Sequence, residues 1–301
     1  MDATRGGGTR FALRNRARLA YDPGTARPAE GASRTESPTV VCLHDLLGDR
    51  SEFTAVRAAL APASRIVSID ARGHGASATL ANQWYTVSEL AADVVAVLDA
   101  EGVPSAHFVG RGLGGATAIE IARRRPERVR SLVVIEPSLY AILDNDDDRK
   151  ASSLRKSWRT ADRAAADSAY KGLTEKALDA YLEPRWGTDW RGSIPKTRLA
   201  AIRRHAGALS GLLPALDSYA MTRAEVRTGQ WPALVMTGAD ALEIDRLVAD
   251  RLASLCPSST AVTVELGPRS HRPLGGAAGE AVSGLILDWI GKTEAADADH
   301  R

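Results

Sequence analysis

The chain has 301 residues, of which 44% are hydrophobic and 25% are charged, and these proportions exclude a disordered or fibrous protein. Its 39 basic and 37 acidic residues leave a net charge of +2, which gives no electrostatic case for nucleic-acid binding. Two isolated cysteines exclude a disulfide scaffold. A glycine-rich polar start and the lack of a run of roughly 20 apolar residues favour a cytoplasmic protein without membrane contact.

The predicted elements begin with a hairpin over residues 11 to 21 and a loop rich in Pro, Gly and Ala over residues 23 to 38. Short apolar runs then predict buried strands at residues 40–43, 66–69, 107–109, 132–135, 234–236 and 262–266. Apolar residues at spacings of three and four predict helices at residues 52–60, 88–98, 113–124, 242–255 and 277–290. Alternating strands and helices predict a parallel sheet covered by helices on both faces.

The alternation stops between residues 144 and 230, where the pattern is helical and polar and contains Trp158, Trp186 and Trp190. We therefore predict a helical cap at residues 144–230, inserted into a core of residues 39–143 and 231–291. Residues 1–38 form the predicted hairpin and a mobile loop, and residues 292–301 form a polar tail.

Four motifs occur in the order in which one known family has them. They are VVCLHD at residues 40–45, SIDARGHGAS at 68–77, FVGRGLGG at 108–115, and Ser270-His271 after the last predicted strand. They resemble the α/β-hydrolase family's strand followed by His-Gly, its D-x-R-G-x-G-x-S segment, its G-x-S-x-G nucleophile elbow and its catalytic histidine. The resemblance covers residues 11 to 290. It implies a mostly parallel eight-stranded sheet flanked by helices, with a helical cap inserted between two strands.

The elbow departs from the family pattern at its centre, because Gly112 stands where the family has its nucleophilic serine. Glycine has no side-chain atom that can attack a carbonyl carbon, although it tolerates the strained backbone of an elbow. If the rest of the machinery is intact, we expect a Gly112→Ser variant to react with a fluorophosphonate probe.

The resemblance implies an oxyanion hole formed by the backbone N–H groups of Leu113 and Leu46. Asp45, however, stands where the family usually has glycine. A carboxylate there opposes a developing oxyanion unless it points away, and the alternative is that Asp45 is only a turn residue. The implied pocket is bordered by His44, Asp45 and Arg111.

The resemblance also implies a histidine and an acid that act together, and His271 is the candidate histidine. The acid has two candidates. Asp240, one place early in its G-x-x-D motif, ranks slightly above Glu136, which ends the strand after the elbow helix. Either acid would leave an acid-histidine pair facing an empty nucleophile position.

Three functional hypotheses follow. The chain is a hydrolase or hydrolase-derived enzyme for a small organic ester, lactone or amide-like substrate, with His271 activating water or a substrate proton. Alternatively it is a non-catalytic protein that binds a small ligand in the same pocket, or an inactivated variant of a serine hydrolase. No organic cofactor is implied, and no metal, since no clustered ligand spacing appears.

Overall fold

The computed structural model describes residues 8–24, 37–77, 85–144, 148–266, 274 and 276–299. Within these residues no helix combines the length and the apolar character that are needed to cross a bilayer.

Eight strands form one sheet, in the order β1-β2-β4-β3-β5-β6-β7-β8. The predicted hairpin is confirmed, and it joins the sheet because β2 pairs antiparallel with β4. The remaining neighbours are parallel, as predicted. The strands are β1 (Arg10–Arg14), β2 (Ala17–Asp22), β3 (Thr39–Leu43), β4 (Arg65–Ile69), β5 (Ala106–Arg111), β6 (Val129–Ile135), β7 (Ala233–Gly238) and β8 (Ser259–Val264).

Ten α-helices lie within the described residues, and those predicted from apolar spacing are confirmed to within a few residues, except that the last one extends nine residues further. They are α1 (Thr54–Leu60), α2 (Val87–Ala100), α3 (Leu113–Arg124), α4 (Arg149–Tyr170), α5 (Thr174–Trp186), α6 (Lys196–His205), α7 (Leu209–Asp217), α8 (Arg223–Thr228), α9 (Glu243–Leu255) and α10 (Gly276–Asp299).

The core has two layers because successive strand residues face opposite sides of the sheet. On one side, Val40 and Cys42 of β3 pack with α1 and α10. On the other side, Val41 and Leu43 pack with α2, α3 and α9. The parallel strands are therefore buried on both faces, which explains their continuous apolar runs.

The chain between β6 and β7 contains helices α4 to α8 and, within the described residues, no strand. We call these the inserted helices. Their presence confirms a helical insertion between two strands, whereas a separate cap domain with the predicted boundaries stays a prediction.

The predicted polar tail is helical over most of its length, because α10 continues to Asp299. Alanine and glutamate in this stretch favour a helix. Glu294 also anchors it to the sheet, since its Oε1 lies 2.9 Å from His107 Nε2 and 2.6 Å from Arg130 Nη2.

Candidate active site

The elbow is a single residue between a strand and a helix, since β5 ends at Arg111 and α3 begins at Leu113. Gly112 has φ +49° and ψ −113°, a conformation that side-chain-bearing residues rarely adopt. Its N–H donates to Ile135 O at 3.0 Å and its carbonyl accepts from Ser138 N at 3.0 Å, so β6 fixes the turn. The helix then approaches β3 closely, because a Cβ on Gly114 would lie 2.0 Å from Leu43 O.

The Asp45 carboxylate lies at this elbow, where the resemblance places an oxyanion. Its Oδ1 accepts the N–H of Leu46 at 2.7 Å and the N–H of Leu113 at 2.9 Å. These are the two donors that the resemblance assigns to the oxyanion hole. Of the two orientations that the sequence allows for Asp45, the structure has the one that points toward Gly112 and Leu113.

The same carboxylate also fills the space of the missing nucleophile. A Cβ built on Gly112 would lie 1.8 Å from Asp45 Oδ1 and 2.6 Å from its Oδ2. The expected empty nucleophile position is therefore wrong, because the position is occupied by Asp45. A serine at residue 112 and the observed position of Asp45 exclude each other.

Asp45 also caps helix α3 from outside the helix. Gly112 offers no side-chain cap, and the first helical N–H, that of Leu113, is satisfied by Asp45. Carboxylates are favoured at helix N-termini, where unpaired N–H groups and the helix dipole attract negative charge. Oδ2 accepts no hydrogen bond within the part of the chain described, and Asp45 is only partly buried.

A buried ion pair holds the Asp45 loop against the elbow. Glu52 Oε2 accepts the N–H of Asp45 at 3.0 Å, and Glu52 Oε1 lies 3.2 Å from Arg111 Nη1. Arg111 and Glu52 are 2% and 5% exposed. We expected Arg111 at the border of the ligand pocket; it is instead an internal group that links β5 to the loop after β3.

His44 likewise supports the loops, although we expected it in the pocket. Its Nδ1 donates to Asp45 O at 2.7 Å and its Nε2 accepts from Ala71 N at 2.9 Å, so neither ring nitrogen is left for a ligand. His74 continues this arrangement, because its Nε2 accepts the N–H of Leu47.

His205 extends the histidines into a column of three and connects α6 to the core. The ring centroids of His44 and His74, and of His74 and His205, are 5.1 Å apart. His205 Nε2 accepts from Gly75 N at 3.1 Å, and its Nδ1 lies 3.3 Å from Leu47 O. Burial lowers the pKa of His205, and burial with the neighbouring histidines lowers that of His74 well below its usual value. His74 and His205 are therefore mostly neutral near pH 7.

Both candidate acids lie beside Gly238 at the end of β7. Glu136 is buried, has φ +47°, and its Oε1 accepts the N–H of Gly238 at 3.1 Å. Asp240 is exposed, and its Oδ1 would lie 3.2 Å from a Cβ on Gly238. His271 lies outside the described residues, so the choice between the two acids stays a prediction.

A second carboxyl group, not singled out from the sequence, lies in the first turn of α9. Asp245 is 3% exposed, and its Oδ1 is 3.3 Å from Tyr140 Oη. Burial, and then the charge of Glu136, raise the pKa of Asp245 to about 8. Its sequence signal is an acidic residue on the apolar face that Ile244 and Val248 share on α9.

The aromatic residues of the inserted helices mostly form internal contacts. Trp190 is fully buried and its Nε1 donates to Asp179 Oδ1 at 3.1 Å, whereas Tyr170 is 72% exposed. The Arg185 guanidinium lies 4.4 Å from the Trp158 ring centroid and 3.8 Å from that of Tyr181, and it pairs with Asp162 at 2.8 Å. The contacts of Trp158 and Trp190 are thus those of packing residues.

The cavities lined by described residues include a groove of about 540 Å³ on α2 and α3, away from the elbow, lined by Ala91, Val95 and Ile121 among others. Residues 267–273, which follow β8, lie outside the described residues. A pocket beneath the inserted helices therefore stays a prediction.

Comparison with known proteins gives one consistent fold. The family model described as alpha/beta hydrolase fold matches residues 38–268. The structure of a hydrolase from Pseudomonas aeruginosa PA01 aligns over 95% of this chain and 100% of the hydrolase chain, with a TM-score of 0.73 and 22% identity. The structure of the enol-lactonase from Burkholderia xenovorans LB400 aligns over 93% of this chain and 99% of the lactonase chain, with a TM-score of 0.72 and 23% identity.

Sequence relatives include two proteins with the same printed name, "Putative carbamate hydrolase RutD". The one from Caulobacter sp. (strain K31) is 24% identical over 281 residues, which is 89% of this chain and 96% of that protein. The one from Variovorax paradoxus (strain S110) is 34% identical over 110 residues, or 36% of this chain and 39% of that protein. This second match thus spans about two fifths of the relative.

Proposed function

Because the chain belongs to the α/β-hydrolase fold family and carries a carboxylate at its elbow, we propose that it is a hydrolase-derived enzyme in which Asp45 replaces the elbow serine as the reactive group. It acts on a small organic molecule, and Asp45 takes a proton from the substrate or from a water molecule. The observation that carries the proposal is the contact of Asp45 Oδ1 with both oxyanion-hole donors.

Serine-type acyl transfer requires a nucleophilic side-chain atom and free N–H donors for an oxyanion, and this elbow provides neither. Gly112 provides no nucleophilic atom, and the two N–H groups that would stabilise a tetrahedral oxyanion already bind a carboxylate. Oδ2 of the same carboxylate has no hydrogen-bond donor among the described residues and belongs to a partly exposed side chain. A positioned carboxylate with a free oxygen suits general-base catalysis.

The pairing of Asp45 with Gly112 bears on the hypothesis of an inactivated serine hydrolase. Such a variant would have been changed at residue 112 alone, and its parent would carry a serine there. The observed Asp45 leaves no room for that serine, since a Cβ at residue 112 would lie 1.8 Å from Oδ1. The two departures are complementary, which supports a site rebuilt around Asp45.

The relatives support a small organic substrate. Their printed names state carbamate hydrolysis for one and enol-lactone chemistry for another. Both substrate types contain a carbonyl group, and we propose a molecule of that size class for this chain.

The general-base role is tested with nitrobenzisoxazole, whose ring opens when a base removes a carbon-bound proton. We expect the protein to accelerate ring opening, and Asp45→Asn to reduce the rate by about 10²-fold, the usual lower range for a general base. Asparagine keeps the Oδ1 acceptor and the side-chain size. Asp250→Asn, an exposed change on α9, is the matched control and leaves the rate unchanged. Equal rates for Asp45→Asn and the parent would contradict the proposal.

Reaction with a fluorophosphonate probe tests whether Asp45 has displaced the serine chemistry. We expect no labelling of the parent at residue 112 and little labelling of Gly112→Ser, because the new side chain collides with Asp45. The double variant Gly112→Ser with Asp45→Gly restores a nucleophile and frees the Leu46 and Leu113 donors, so it labels. This corrects our expectation that Gly112→Ser alone is sufficient. Equal labelling of the single and double variants would show that Asp45 leaves the elbow readily.

Non-catalytic ligand binding is a second candidate, favoured by one observation. Asp45 satisfies the N-terminus of α3, so its contacts serve stability whether or not it meets a substrate. Under this alternative, Asp45→Asn lowers stability but the parent shows no Asp45-dependent ring opening.

A further inference from the structure

The position of Asp45 removes the usual hydrogen-bond donors from any substrate oxygen. In a site of this fold, backbone N–H groups stabilise the charge that develops on a carbonyl oxygen. Here both N–H groups bind Asp45 Oδ1. If the substrate contains a carbonyl, a different donor must face its oxygen.

Asp245 has the properties of such a donor. It is 3% exposed, and its Oδ1 lies within 3.3 Å of Tyr140 Oη. A donated bond from Tyr140 to Oδ1 leaves Oδ2 to carry the proton. Since burial and the charge of Glu136 raise the pKa of Asp245 to about 8, the carboxyl group is mostly neutral at pH 7. A neutral carboxyl group can donate a hydrogen bond, whereas a carboxylate cannot.

Asp245 and Asp45 belong to the same electrostatic environment. Asp45 follows β3 and Asp245 lies in the first turn of the helix after β7, so both lie beyond the carboxyl edge of the parallel strands. Burial and then other charges raise the pKa of Asp245, and the charge of Asp45 adds to them. Burial likewise raises the pKa of Tyr181 on α5, and the charges of both aspartates add to it. One is a hydrogen-bond acceptor and the other is a donor.

We propose that the substrate is a carbonyl compound with an acidic α C–H group, that Asp45 removes the α proton, and that Asp245 donates a hydrogen bond to the carbonyl oxygen. This inference rests on the proposed function of Asp45 as a base and adds the substrate class and the second residue. A carboxyl group that accepts a proton and a second one that donates a hydrogen bond are a general arrangement for moving protons at neutral pH.

The step balances without an oxidant, reductant or cofactor. The α C–H bond breaks and its proton forms a bond with Asp45 Oδ2. The electron pair forms a C=C bond, and the carbonyl π electrons move onto the oxygen, where the Asp245 O–H stabilises the enolate. The proton then returns from Asp45 to the same carbon or, in a conjugated substrate, to another carbon.

Binding of para-nitrophenol tests the Asp245 donor without requiring any reaction, because its phenolate is a planar, conjugated oxyanion like an enolate. The absorption of the phenolate reports its binding directly. We expect Asp245→Leu, which has no hydrogen-bond donor, to weaken phenolate binding at pH 7 by about 10-fold, and Asp45→Asn to strengthen it, since removal of a nearby negative charge favours an anion. Asp250→Asn on the same helix is the control.

The pH dependence separates a donor from a residue that only shapes the pocket. For the parent we expect the affinity to fall as the pH rises through about 8, where Asp245 ionises and repels the phenolate. Asp245→Asn, whose amide donates a hydrogen bond but does not titrate, removes this fall. No phenolate binding by the parent, or equal binding by Asp245→Leu, would overturn the proposal while leaving the Asp45 result with nitrobenzisoxazole intact.

The substrate class is tested by exchange of the α protons of cyclic ketones in D2O, followed by proton NMR. We expect exchange above the buffer rate, reduced by both Asp45→Asn and Asp245→Leu. Phenolate binding without any exchange would retain the donor and contradict α-proton abstraction. An exchange rate unchanged by Asp245→Leu would contradict the role of Asp245 at the carbonyl oxygen.

Discussion

Asp45 and Asp245 carry the same side chain, yet the protein surrounds them in opposite ways. Asp45 accepts two backbone N–H groups at the start of a helix, whereas Asp245 is buried with the Tyr140 hydroxyl at 3.3 Å and Glu136 nearby. The backbone N–H groups use Asp45 as an acceptor, and burial beside another carboxylate favours the neutral acid at Asp245. The comparison shows how one residue type can accept hydrogen bonds in one environment and be able to donate one in another.

The largest expected effect concerns the ion pair that holds the Asp45 side of the site. Arg111→Met leaves Glu52 buried and unpaired, and we expect the free energy of unfolding to fall by about 3 to 5 kcal/mol. Urea denaturation measures it. The double variant Arg111→Met with Glu52→Leu removes both charges and should lose less than Arg111→Met alone. The exposed Arg125→Met serves as control. If Arg111→Met loses no more unfolding free energy than Arg125→Met, the Arg111–Glu52 pair does not hold the Asp45 loop.

The next effect concerns Asp245 and depends on pH. Its pKa is about 8 in the folded protein, above roughly 3.9 in an unfolded chain. The folded state therefore binds the extra proton between these values, and stability is lost as the pH rises from about 4 through about 8. Asp245→Asn should be more stable than the parent at pH 9, by on the order of 3 kcal/mol. Thermal unfolding of both proteins at pH 5 and pH 9 tests this. If the difference in stability between Asp245→Asn and the parent is the same at the two pH values, the prediction is contradicted.

A smaller effect is expected from the cap that Asp45 provides to α3. Asp45→Ala leaves the N–H groups of Leu46 and Leu113 without this acceptor, so we expect a loss of about 1 to 2 kcal/mol. Asp45→Asn keeps an acceptor oxygen and should lose less. If alanine and asparagine cost the same, the N–H contacts do not explain the position of Asp45.

The smallest effect concerns His205. Because burial lowers its pKa in the folded protein, stability falls as the pH drops below the unfolded value of about 6.5. His205→Gln keeps a group that accepts from Gly75 N and donates to Leu47 O but does not titrate. We expect it to reduce the fall between pH 7 and pH 5 by about 1 kcal/mol, the scale of one hydrogen bond. His74 still contributes to the pH dependence, so some loss of stability at low pH is expected in the variant as well. A pH profile identical to that of the parent would contradict the prediction.

The sheet and its flanking helices could be predicted from the sequence because their signals are local. Residues 113 to 124, for example, show the helical spacing of α3 directly after the glycine-rich turn. The end of α10 was missed because its last turns are polar, and Glu294 is held by His107, a residue distant in the chain.

The candidate site was predictable only in part. The sequence marked Asp45 and Gly112 as two separate departures from the family pattern. That they form one feature depends on the direction of the Asp45 side chain, which is set by Glu52 and by the N–H of Leu113, far apart in sequence. Asp245 was missed because its neighbours Tyr140 and Glu136 meet it only in the folded chain.

The fit between Gly112 and Asp45 also has a historical consequence. If an ancestor carried the family's glycine at residue 45 and serine at residue 112, aspartate could not have taken its present place while any Cβ remained at 112, because that atom would lie 1.8 Å from Oδ1. The loss of serine therefore had to precede or accompany the arrival of the carboxylate. Reversal faces the same barrier: neither change alone returns a working serine, so the chain is separated from its ancestral chemistry by two coupled substitutions.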